Sequence, residues 1–151
     1  MSYAFGKRSN KKKNTCHPYL IKILDLAISR TVIDFGITEG HRSIARQHEL
    51  FIQGKSKIDG VTKEGKHNKN PSLAADIYSY HPDIKWRRKI AYDKIHLAVI
   101  AGTIMSCAKE LKEKGEIKCD IRWGADWNRN GIVDMDQSFD DYPHFELINI
   151  I

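Results

Sequence analysis

The 151 residues are 41% hydrophobic and 29% charged, the proportions of an ordinary globular chain long enough to bury a core. No apolar run reaches the roughly 18 residues of a membrane span, and the opening MSYAFGKRSNKKKN has no apolar signal-peptide core, so synthesis in the cytoplasm is expected. A net charge of +6 favours polyanionic surroundings, either nucleic acid or an anionic cell envelope.

Lys7 to Lys13 is the densest positive run, and residues 1–14 read as a basic, mobile, solubilising segment. From His17 to Arg30, Leu20, Ile23, Leu24, Ala27 and Ile28 recur at helical spacing, with Pro18 suited to a first turn. Residues 31–38 are β-rich, and Gly40 follows them. Ser43 is placed to cap a second helix that runs to about Ile52 and stops before Gly54. Residues 55–72, rich in Lys, Gly, Asn and Ser, form a long loop of the kind that often carries function. Ala74 to Tyr80 reads as a strand. The longest helical pattern spans about Ile84 to Lys114, with Gly102 as its expected interruption. Ile121–Trp123 and His144–Ile148 read as closing strands.

The order α-β-α-β-α-β-β predicts one α+β domain over residues 1–151, with helices packed on a small, mostly antiparallel sheet. Cys16, Cys107 and Cys119 are odd in number and include no CxxC pair, which argues for free thiols.

Two stretches carry the chemistry. KHNKNPSLAADIYSY holds His67 and Asp76; DDYPHFEL holds Asp141 and His144. Two imidazoles and one carboxylate supply the three protein ligands of a catalytic zinc site, expected at the sheet edge, with an open position for water. Such a site keeps a net charge of about +1 and lowers the pKa of a coordinated water toward about 7. Strand alternation sends Phe145 into the core and returns Glu146 to the side of His144. Asp141, three residues before His144, is placed to act as the base, with Asp140 as its neighbouring alternative.

A second cation site is suggested by Asp126, Asn128, Asn130 and Asp134, which repeat oxygen side chains at positions 1, 3, 5 and 9 of a loop with Gly131 at position 6. This is the first part of a calcium loop. Gln137 stands at position 12, where the bidentate Glu belongs.

Taken together, TEGHRSIARQHELFIQGKSK, KHNKNPSLAADIYSY, RWGADW and DDYPHFEL resemble, in order, the motifs of the zinc-dependent D-Ala-D-Ala carboxypeptidase / L-alanyl-D-glutamate endopeptidase family, and are most similar to its bacteriophage endolysins. The resemblance implies zinc on His67, Asp76 and His144, with Asp141 as base. Other members carry Glu at that position, which tilts the chain away from D-Ala-D-Ala dipeptidases. It implies that Arg42 stabilises an oxyanion, with Ser43 and Gln47 beside it, and that Trp123, Trp127 and Tyr78 wall the cleft. Some phage members are thought to use calcium as a switch. The implied function is hydrolysis of the L-alanyl-D-glutamate bond in peptidoglycan stem peptides by a monomer. The enzyme would wait in the host cytoplasm and reach the wall once the membrane is permeabilised. The alternatives are a D-Ala-D-Ala carboxypeptidase on the same scaffold and, from a different class, a basic nucleic-acid-binding protein.

Overall fold

The computed structural model describes residues 2–151. In chain order the elements are α1 (Lys7–Lys13), α2 (Pro18–Arg30), β1 (Phe35–Glu39), α3 (Ile44–Ile52), a 3-10 turn (Lys66–Asn68), β2 (Ala74–Ser79), α4 (Ile84–Ile90), α5 (Lys94–Glu113), β3 (Asp120–Gly124) and β4 (Asp141–Ile148). The four strands form one sheet in the order β1-β2-β4-β3, and each neighbouring pair is antiparallel. The α+β architecture is as the sequence predicts.

Strand alternation divides the sheet into two faces. Ala75, Ile77, Phe145, Leu147, Ile121 and Trp123 point into one apolar cluster with Leu20, Leu24, Leu97, Ile100 and Ile104 of α2 and α5. Asp76, His144, Glu146 and Arg122, the alternate residues, stand on the opposite face under the long loop. The helices thus bury one side of the sheet and leave the other free for polar chemistry.

Three local expectations differ. The basic run is not a loose tail: Lys7–Lys13 is helical and packs on β1. Ser9 Oγ accepts the Ile37 amide at 3.0 Å, and Lys13 Nζ donates to Asp25 at 2.6 Å. The charge run hides a polar face that the sheet needs. The long helix breaks not at Gly102 but at residues 91–93, where α4 and α5 meet at a 77° bend. Asp93 caps the new helix by accepting the His96 amide at 3.0 Å, while Gly102 lies inside α5. β4 begins at Asp141, three residues earlier than read, so the base candidate and His144 share one strand. Among the described residues, no single helix is long and apolar enough to cross a membrane.

Candidate metal centre and cleft

Asp76 of β2 and His144 of β4 are direct register partners, at the last paired position between those strands. They stand on the two middle strands, where the β2–β4 ladder ends, and not at the sheet edge as expected. Asp76 is paired on both sides, with Glu39 and His144, while His144 sits at the irregular step of the β3–β4 ladder. His67 arrives from the 3-10 turn, which is stitched to the segment after β1. His67 accepts the Arg42 amide through its carbonyl at 2.7 Å, and Asn68 Nδ2 donates to the Arg42 carbonyl at 3.0 Å.

Each imidazole is fixed by its outer nitrogen. His67 Nδ1 lies 2.7 Å from the Gly40 carbonyl, and His144 Nε2 lies 2.8 Å from Glu146 Oε1. A carbonyl and a carboxylate both demand an N–H, so whenever the imidazoles are neutral the inner nitrogens, His67 Nε2 and His144 Nδ1, are left as lone pairs. Both face Asp76 Oδ1, at 3.3 and 3.1 Å. His67 Nε2 is buried with no hydrogen-bond partner among the described residues. Three acceptors turned on one another are unfavourable unless a cation lies among them. Ligands about 2.0–2.1 Å from a tetrahedral ion stand roughly 3.3 Å apart, which these separations match. The donor atoms of His67, Asp76 and His144 all lie within 4.8 Å of one another, so the three can hold a metal ion.

The electrostatics agree. Burial would raise the Asp76 carboxyl, but the positive charge that His67 and His144 carry once protonated, with the bond from His144, holds it well below the usual carboxylate range. Burial would lower His144, but its bonds to Asp76 and Glu146 outweigh this and raise it. The pocket is built to favour positive charge at this point.

Asp141 lines the cleft beside the group, and burial together with the nearby Asp76 raises its carboxyl above the ordinary value. A carboxylate so placed accepts a proton more readily than one in water. Asp140, the alternative, is turned away, accepting Gln137 Nε2 at 2.7 Å. Arg42 also lines the cleft. Its guanidinium is clamped by Glu39 at 2.8 and 2.6 Å and by Gln47 Oε1 at 2.9 Å, and Nη2 lies 3.5 Å from Asp76. Gln47 is buried and is bonded also to Ser56 and the Ile58 carbonyl, so it orients Arg42 and ties it to the long loop. Ser43 caps α3 by accepting the Arg46 amide at 3.1 Å.

Two aromatic expectations are corrected. Trp123 is buried in the core, stacked on Phe145, because its strand parity matches the apolar face. Tyr78 lies across Gly36 of β1. The aromatic wall is Trp127, as expected, with Phe139, which the sequence reading did not select; their rings stack 6.3 Å apart, and Trp127 lies 5.5 Å from the His144 ring. Also missed was Arg122, directly opposite Glu146 across β3–β4 and bonded to it at 2.7 Å. The cleft encloses about 660 Å³.

In the 126–137 loop, Asp126 accepts the Asn130 and Gly131 amides, and Asp136 accepts Asn130 Nδ2 at 2.6 Å. Asp134 Oδ2 accepts the Tyr142 hydroxyl at 2.7 Å, and Gln137 Oε1 accepts the Trp127 amide at 3.0 Å. The oxygen side chains of this loop are spent on the loop and its supports.

Fold and site define a small α+β protein with a His–Asp–His group able to hold a metal ion, a carboxylate and a guanidinium in one cleft. Residues 1–148 match the family model described as phage L-alanyl-D-glutamate peptidase, and the chain belongs to that family. It is 28% identical over 151 residues to the L-alanyl-D-glutamate peptidase of Escherichia phage T5, covering 98% of this chain and all of that one. It is 29% identical over 136 residues to the peptidoglycan L-alanyl-D-glutamate endopeptidase CwlK of Bacillus subtilis strain 168, covering 83% of this chain and 67% of that one. The fold is shared with the crystal structure of the Serratia marcescens L-Ala D-Glu endopeptidase ChiX, with a TM-score of 0.71, 23% identity, and coverage of 96% and 90%.

Proposed function

We propose that residues 1–151 act as one zinc peptidase domain that hydrolyses the L-alanyl-D-glutamate bond of peptidoglycan stem peptides and lyses the phage's host. The observation that carries this is the convergence of His67, Asp76 and His144 on one point beside Asp141, in a chain of this family. Zinc suits two imidazoles and a carboxylate, and when bound it supplies a Lewis acid and an acidified water. Asp141 takes the proton of the attacking water and passes it to the departing amine. Arg42, held in place by Glu39 and Gln47, faces the charge that develops on the carbonyl oxygen. Trp127 and Phe139 exclude water from one side.

The relatives named above are all named for the L-Ala–D-Glu bond, which favours that bond over D-Ala–D-Ala. The enzyme is read as a monomer that accumulates in the host cytoplasm and meets the wall after membrane permeabilisation. Its charge of +6 suits an anionic wall without a nucleic-acid partner. Calcium on Asp126, Asn128, Asn130 and Asp134 is supported by oxygen spacing alone; a titration that releases no heat at millimolar calcium removes it.

The test of the main reading pairs lysis with metal content. Wild type should lyse permeabilised cells and release peptides that begin with D-Glu. Asp141→Ala should retain stoichiometric zinc and lose at least about 100-fold in rate. Release of free D-Ala overturns the choice of bond. Full activity in the variant overturns the base.

A further inference from the structure

The cleft has two unequal halves. The larger half and a smaller one of about 400 Å³ share Glu39, Arg46, Asp76 and Asp141, so they meet at the metal group. The larger half is walled by Lys55, Lys57, Lys63, Lys66 and Lys69 of the long loop. Most acidic residues lining it are already engaged: Glu39 with Arg42, Glu146 with Arg122, and Glu64 with Lys69 at 2.9 Å. Asp76 and Asp141 belong to the centre itself. Lys55, Lys57, Lys63 and Lys66 therefore have no carboxylate within ion-pair distance among the described residues. The smaller half adds a single lysine, Lys12, to Thr38, Tyr92 and Pro143.

The lysines are held by an ordered backbone. Asp59 Oδ1 accepts the amides of Val61, Thr62 and Lys63 at 2.9, 2.9 and 3.0 Å. Lys66 begins the 3-10 turn that carries His67, and its carbonyl accepts the Leu73 amide at 3.1 Å. Lys57 is partly committed, with Nζ 4.7 Å over the Phe139 ring. Lys55, Lys63 and Lys66 are left free on bonded backbone, Lys55 through its amide to the Leu50 carbonyl at 2.9 Å, and of these Lys63 and Lys66 lie nearest along the chain to His67.

The substrate is unequal in the same way. Resting on the reading above, the bond to be cut joins an L-Ala carbonyl to the nitrogen of D-Glu. The acyl side at that bond is a neutral alanine. The amine side has two carboxyl groups, of which chain continuation uses one, so a free carboxylate remains close to the scissile nitrogen.

We propose that the lysine-walled half of the cleft is the subsite for the amine side of the bond, and that Lys63 and Lys66 bind the free carboxylate of D-Glu. The smaller half then takes the alanyl side. This sets the direction in which the stem peptide crosses the metal group. It also makes the enzyme sensitive to a common chemical change in such a substrate, conversion of that carboxylate to a carboxamide.

The experiment uses two synthetic peptides of equal length, one with D-Glu and one with its α-carboxamide, and the zinc-loaded enzyme. Wild type should favour the acid by about threefold to fivefold in kcat/KM, chiefly through KM, as ion pairs to exposed and half-buried lysines do. Lys63→Gln/Lys66→Gln should bring the ratio toward one. Lys22→Gln/Lys109→Gln, which removes the same charge from the helical layer, should keep it. A wild-type ratio near one, or a preference that survives in Lys63→Gln/Lys66→Gln, overturns the subsite. The wild-type ratio alone decides if that variant does not fold. Cleavage of neither peptide overturns the function on which the inference rests; cleavage of both at the Ala–Glu bond with equal efficiency overturns the subsite alone.

Discussion

Glu146 shows how much of the centre lies outside its three ligand candidates. It stands two residues beyond His144, so strand alternation returns it to the same face, where it fixes the imidazole's outer nitrogen while Arg122 fixes Glu146. The alternation was legible in HFEL. The Arg122 partner was not, because cross-strand opposition depends on register, and the sequence does not state register. Glu146→Gln keeps an acceptor but loses the charge that makes the imidazole a better ligand. Its zinc affinity should fall about 10–100-fold, read by chelator competition. If Glu146 only stabilises the sheet, melting temperature will drop with affinity unchanged. The same gap explains why Trp123 leaves the expected wall while Trp127 stays in it: both lie in RWGADW, and only the parity of β3 sends Trp123 to the core.

At the level of elements, the β3–β4 ladder places Asp141, the proposed base. The register shifts between Trp123 and Gly124, so Gly124 lies opposite Asp141. A Cβ on Gly124 would fall well inside contact distance of the Asp141 backbone, which has no freedom to retreat. Gly124→Ala should therefore cost about 1–3 kcal/mol of stability by thermal or urea unfolding and slow turnover more than it weakens zinc binding. Equal stability with full activity would mean that the strand slips to accommodate the methyl. Helices were read well where apolar periodicity was strong, as in α2, or where a cap was recognised, as Ser43 was for α3. They were misread where a cap decided the outcome, as at Asp93, or where the buried face was polar, as in α1. Composition suggests a mobile tail at Lys7–Lys13 because no hydrophobic pattern reveals that Ser9 and Lys13 are buried.

Across the whole molecule, one apolar cluster ties α2, α5 and the sheet together, and it takes in the three thiols. Burial raises Cys16 from 9.0 to about 11, and raises Cys107 and Cys119 as well. In the unfolded chain the Cys16 thiol ionises first, so its contribution to stability is complete below pH 9 and is lost as pH rises from 9 toward about 11. Melting temperature should fall across that window, and Cys16→Ala should flatten part of the fall. At neutral pH, alkylating reagents should label the native protein slowly and the denatured protein at all three sites. The strand order has a further outcome. β4 follows the other described strands in sequence, yet it occupies the interior of the sheet between β2 and β3. A nascent chain, or one terminated short of residue 141, lacks both His144 and the piece that joins the two halves of the sheet. Products that end before residue 141 should be inert in lysis, because they lack a metal-ligand candidate and a middle strand at once.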